Sequence, residues 1–123
     1  MTDLEMTKLC AEAMELKAGY EKVQPLAYNA IQYVETSLPE ATHITVQNGD
    51  DWFIYDPLHN DAQAMALVKK FSIMLDRSGK NNGWYASLVV DPKADDCDIF
   101  EGEDVNLNRA IVECVAKMQK VRA

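Results

Sequence analysis

The chain reads as an α+β domain: a mostly antiparallel sheet of about four strands with helices packed on both faces, an α/β/α sandwich. Three observations point there. Two stretches carry the helical spacing of apolar residues with clear caps, two pairs of short alternating stretches are joined by turn-forming residues, and no run free of charge approaches the roughly 20 apolar residues that a membrane span needs. At 123 residues the chain makes a single domain, 1–123. Its apolar fraction of 48 % and ten aromatics argue against disorder. Area scaling gives about 6,600 Å² for the folded chain against roughly 20,000 Å² unfolded, enough burial for a core without staples.

The first helix is expected from Asp3 to about Lys17. Thr2 and Glu5 have the spacing of a capping box, and Met6, Leu9, Cys10, Ala13 and Leu16 form one apolar stripe, with Gly19 as the stop. The segment Glu21–Glu40 is bracketed by Pro25 and Pro39. Leu26, Ala30, Ile31 and Val34 fit a short helix, the preferred reading, although Tyr28, Tyr33 and Val34 also suit an irregular strand.

Thr42–Gln47 and Asp51–Tyr55 read as a hairpin about Asn48-Gly49. Alternation places Ile44, Val46, Phe53 and Tyr55 on one face and Trp52 and Ile54 on the other, so both faces are expected to be covered. Pro57 biases Asp56 toward an extended backbone, and Asn60 or Asp61 can cap a second helix that runs to about Lys70. Its packed side is expected to hold Ala62, Met65, Ala66 and the stem of Lys69.

Phe71–Asp76 and Trp84–Val90 form a second hairpin around a polar, Gly/Asn-rich link. Phe71, Ile73 and Leu75 alternate with Ser72, Met74 and Asp76. Trp84, Ala86, Leu88 and Val90 alternate with Tyr85, Ser87 and Val89. Pro92–Asp104 reads as an acidic loop. The last helix runs from Val105 or Asn106 to Val121, with Ala110, Ile111, Cys114, Val115 and Met118 as its apolar stripe and Lys117, Lys120 and Arg122 near its end.

The chemistry-bearing residues are sparse. The formal net charge is −8, which opposes binding to a phosphate backbone, so no nucleic-acid partner is expected, nor a membrane. Cys10, Cys97 and Cys114 are far apart with no paired spacing, as buried small apolar residues in a reducing cytoplasm would be. His43 and His59 lie in no metal-binding spacing, and no nucleophile motif or phosphate-cradling glycine loop occurs, so neither a catalytic residue nor a metal or cofactor is assigned. The N-terminus has no signal-peptide pattern. A small cytoplasmic protein that works by protein contacts is expected, with self-association as an open option.

The strongest anomaly is the acidic segment. A calcium loop led by Asp91 would put Lys93 at its third position; one led by Asp96 would put Phe100 at its fifth and Glu101 at its sixth, so the pattern fails. Asp95, Asp96, Asp98, Glu101, Glu103 and Asp104 are left as a candidate interaction surface for a protein partner.

The run Trp52-x-Ile54-Tyr55-Asp56-Pro57-Leu58-x-Asn60-Asp61-Ala62-x-Ala64-Met65 resembles small proteins of tailed phages and prophages that carry the phage ABA-sandwich domain. Arg109-Ala110-Ile111-Val112-Glu113-Cys114 resembles the family's closing helix, and Ala11-Glu12-Ala13-Met14 before Gly19-Tyr20 fits its opening one. The resemblance covers about two-thirds of the chain. It implies a layered α/β/α fold and a phage origin, and it implies no activity. The reading is therefore a non-enzymatic phage or prophage accessory protein acting through protein contacts in the host cell. A DNA-mimicking inhibitor of a host nuclease or DNA-binding protein is the alternative, and a small enzyme with a His43 or His59 pocket is a further one.

Overall fold

The structure, a computed structural model, describes residues 1–79, 82–90 and 98–122. Helix α1 spans Asp3–Ala13. Thr2 accepts the Glu5 amide at 3.1 Å and Glu5 reaches back to the Thr2 amide, so the capping box forms as expected. The helix is shorter than its sequence suggested. Glu15 takes a left-handed backbone (φ 59°), its amide bonds to the Glu12 carbonyl, and the Leu16 amide bonds to that of Ala11. This pair of bonds closes the helix, so Gly19 is not its stop. Gly19 lies instead in the following strand, where a side chain would crowd Thr45 at 3.0 Å and the Trp52 ring at 3.4 Å.

The segment expected to be a short helix is a β-hairpin. Strands β1 (Ala18–Pro25) and β2 (Ile31–Glu35) pair antiparallel, with Glu21 opposite Glu35 and Pro25 opposite Ile31. A single 3₁₀ turn at Ala27–Asn29 links them, with Tyr28 and Asn29 both at positive φ. The helical spacing of Leu26, Ala30 and Val34 is overridden by strand pairing, and between Lys22 and Val34 every residue except Val23 is exposed.

Strands β3 (His43–Asn48) and β4 (Asp51–Ile54) form the expected hairpin with a two-residue loop, Gly49 taking the positive φ at +67°. β3 also pairs with β1, so the sheet order is β2-β1-β3-β4. Ile44, Val46 and Tyr55 are buried, but Trp52, Phe53 and Ile54 are each about 40–47 % exposed, so β4 is not covered on both faces.

Helix α2 (Asp61–Phe71) is capped by Asn60, which accepts the Gln63 amide. Its buried residues are Ala64 and Leu67; Ala62 and Lys69 are exposed, a rotation of the packed face from the expected one. Strands β5 (Met74–Arg77), β6 (Trp84–Val90) and β7 (Asp98–Asp104) make a second antiparallel sheet in that order. The described part of the expected acidic loop is thus a strand. Its inward positions are Phe100 and Gly102, and pairing with β6 outweighs its polar composition. Helix α3 (Leu107–Arg122) buries all five residues of its expected stripe, together with Val112 and Ala116.

The α+β class and the antiparallel pairing hold, with seven strands in two sheets among the described residues in place of about four in one. α3 packs on β6 and β7 and against α1 and α2, while α1 carries the contact to β3 and β1. One core cluster joins all of them, from Met6 and Cys10 through Ile44 and Val46 to Leu67, Leu88 and Ile111. Cys10 and Cys114 sit in it as free thiols, donating weakly to the Val112 and Phe100 carbonyls. Cys97 lies outside the described residues. Among those described, no helix is long and apolar enough to cross a membrane.

Candidate functional site

The six acidic residues singled out in the sequence do not form one cluster. Asp95 and Asp96 lie outside the described residues. The other four stand on β7, where alternation divides them. Asp98 and Asp104 share the side that faces α3. Asp104 spends its carboxylate on the entry to that helix: one oxygen accepts the Asn106 amide at 2.9 Å, and the other lies 3.7 Å from Arg109. Arg109 also binds Asp3 of α1 at 2.9 Å, so this corner is a structural tie between the two helices.

Glu101 and Glu103 point the other way, onto the outward face of the three-stranded sheet. The register brings residues from all three strands beside them. Asp76, Tyr85 and Glu103 form one row; Met74, Ser87 and Glu101 form the next; Val89 and Ile99 form a third. Strand spacing puts Asp76 and Glu103 about 10 Å apart across Tyr85. A hydrogen bond to Glu101 pushes the Tyr85 phenol up to about 12, with desolvation and the Glu101 and Glu103 charges adding to the rise. Ser78 donates to Glu103 and fixes the far end of the row.

Three apolar side chains share this face. Met74 is 70 % exposed, Ile99 58 % and Val89 39 %; Val89 and Ile99 pair across β6 and β7, and Met74 stands diagonal to Val89, in the row of Ser87 and Glu101. Among the described residues the face bears no cation: the nearby Lys117 donates to the Glu101 backbone carbonyl and lies 3.9 Å from Glu113 on its own helix. The result is a face on which three exposed apolar side chains adjoin three carboxylates, with Met74 and Glu101 in one row across Ser87. Asp76 and Tyr85 were not singled out from sequence. The alternation of β5 and β6 already placed them together with Met74 and Val89; the missing signal was the strand character of β7.

Both histidines line a second feature, a cavity of about 180 Å³ between α1, β3 and the turn before α2, together with Asp3, Asp56 and Tyr55. His59 Nδ1 bonds to Asp56 Oδ2 at 2.8 Å, and His43 Nδ1 lies 2.9 Å from Thr42 Oγ1. An Asp–His pair resembles half of a hydrolytic triad. Here it closes a turn: the His59 and Asn60 amides both bond to the Asp56 carbonyl, and the Asp56 amide bonds to Gln63. The His59 side chain is 78 % exposed, and among the described residues Asp56 is its one hydrogen-bond partner, so no hydroxyl or thiol is hydrogen-bonded to it there. The cavity is smaller than the roughly 300 Å³ at which ligand pockets usually begin. Among the described residues no group of three or more His, Cys, Asp or Glu is arranged to hold a metal.

A third concavity, about 410 Å³, opens on the outer face of the four-stranded sheet over Gly19, with Glu21, Glu35, Thr45 and Trp52 around it. Lys17 stands 5.9 Å from the Trp52 ring. Compared with known proteins, the chain matches no family model, no curated protein and no solved structure, so the likeness to the phage domain rests on the order of its short motifs alone.

Proposed function

We propose that this protein is a non-catalytic accessory protein, of phage or prophage origin, that acts in the host cell by docking on another protein through the outward face of its three-stranded sheet. The partner presents lysine or arginine side chains next to an apolar ridge. The observation that carries this reading is the pairing of exposed Met74, Val89 and Ile99 with Asp76, Glu101 and Glu103 on one face that bears no cation among the described residues. Contiguous exposed apolar surface edged by polar groups marks interaction sites, and one sign of charge selects and steers the partner. The phage assignment rests on the motif order around Trp52–Met65 and Arg109–Cys114.

A duplex-mimicking inhibitor fits less well. It needs carboxylates in two extended rows, and Asp76 is the lone carboxylate that β5 contributes to this face. The test is affinity capture from host cells with the wild-type chain and with Glu101→Lys/Glu103→Lys. The reading expects a partner held by the wild type in low salt, released as salt rises, and lost with the double variant while an Asp50→Lys control keeps it. An unchanged set of captured proteins would remove it.

A further inference from the structure

The β1–β2 hairpin stands apart from the core. β3 pairs with β1 only through Glu21, so beyond that point Lys22–Val34 is a two-stranded arm. Leu26, Tyr28, Ile31, Tyr33 and Val34 are all exposed on it, Tyr28 completely. A lone two-stranded hairpin is marginal in water, and this one displays aromatic and aliphatic side chains.

The arm's two free sides differ. On β1 the Val23 amide donates to Thr42 Oγ1, and Pro25 has no amide to offer. On the sheet's opposite edge, Gln63 Nε2 covers the Ile54 carbonyl of β4. β2 has no such protection. Its sequence, Ile31-Gln32-Tyr33-Val34-Glu35, lacks the lysine or proline that blunts an edge strand. The bonds Thr36 amide to Tyr20 carbonyl and Leu26 amide to Ala30 carbonyl fix the phase of its ladder. Gln32 and Val34 face β1, while the N–H and C=O groups of Ile31, Tyr33 and Glu35 point outward. Among the described residues, none of those outward groups has a hydrogen-bond partner.

We infer that β2 is the dimer edge of this protein, pairing antiparallel with β2 of a second copy about a two-fold axis at Tyr33. In that register Tyr33 faces Tyr33 of the second copy, Ile31 faces Glu35, and Gln32 faces Val34. The outward backbone groups of residues 31, 33 and 35 are the very ones that an antiparallel strand uses, so the two edges satisfy each other. No carboxylate is set opposite a carboxylate. Like residues meet at the axis as an aromatic pair, and the two four-stranded sheets fuse into one of eight. This surface is separate from the carboxylate-bearing face, and either can fail without the other.

Sedimentation equilibrium over a dilution series tests it. The expected species has twice the 13.8 kDa monomer mass and dissociates on dilution, with little effect of salt. Tyr33→Pro removes an outward amide that β1 does not use, and Ile31→Lys places a charge on the edge; both should give monomers with an unchanged far-UV circular dichroism spectrum. In a Cys97→Ser background, Tyr33→Cys should oxidise to a covalent dimer, because paired positions at the axis lie within disulfide reach. A wild-type chain that stays monomeric at high concentration would overturn the inference, as would a dimer that survives Tyr33→Pro and Ile31→Lys.

Discussion

Gly102 lies directly against the backbone of Ala110: a side-chain carbon at Gly102 would collide with the Ala110 carbonyl oxygen and approach the Cys114 amide to 2.9 Å. This contact sets how closely β7 and α3 pack, and so fixes the plane of the sheet whose other side bears Glu101 and Glu103. Gly102→Ala should cost about 3 kcal/mol, because both obstructing groups are main chain and neither can rotate away. Urea denaturation measures it; a cost below about 1 kcal/mol would mean that the strand and helix are free to separate.

Glu15 holds a left-handed backbone at the end of α1 without being glycine. Its side chain is largely exposed and closes no bond that the helix end needs. Glu15→Gly should therefore stabilise the fold by about 0.5–1 kcal/mol, the relief of that strain less the entropy that glycine returns to the unfolded chain. The same denaturation experiment reads it as a higher midpoint at constant slope.

Tyr55 is 4 % exposed and, among the described residues, its hydroxyl has no hydrogen-bond partner. Burial raises its pKa first, with the neighbouring Cys10 adding to the rise. Tyr55→Phe removes a desolvated polar group and keeps the ring, so stability should stay level or rise by up to about 1 kcal/mol. A loss of that size would show that the hydroxyl serves a ligand or an ordered water.

The Tyr85 phenol is pushed up to about 12, first by its hydrogen bond to Glu101. The unfolded value is near 10. A folded pKa above the unfolded one favours the neutral form, so the stabilisation is complete below about pH 10 and is lost as pH rises toward 12. A titration of the Tyr85 ring followed by NMR should show a midpoint near 12 that falls toward the ordinary value in Glu101→Gln. No movement in that variant would place the cause elsewhere.

The sequence already contained much of the fold where a local signal and its tertiary partner agree. Thr2 and Glu5 form the capping box, Asn60 caps α2, Gly49 turns the β3–β4 hairpin, and the stripe from Ala110 to Met118 is the centre of the core. The β1–β2 arm was hidden because its turn is made by Tyr28 and Asn29 in left-handed conformations, with no glycine to announce it. β7 was hidden because its inward face is Phe100 and Gly102, and a glycine gives no hydrophobic beat to an alternating pattern. That second omission is what left Asp76 and Tyr85 unlinked to Glu101 and Glu103. Pairing partners come from distant segments, and nothing local to Asp98–Asp104 reports them.

Site-specific photo-crosslinking on the outward face tests the central claim most directly. A photoreactive phenylalanine analogue at Val89 or Ile99, activated in host cells, should yield one discrete adduct that is lost when Glu101→Lys/Glu103→Lys is added. The same analogue at Lys8, a partly exposed position on α1 away from this sheet, should yield none. Adducts of equal pattern from Val89 and Lys8, or an adduct indifferent to the charge reversal, would contradict the claim that this face is where the protein meets its partner.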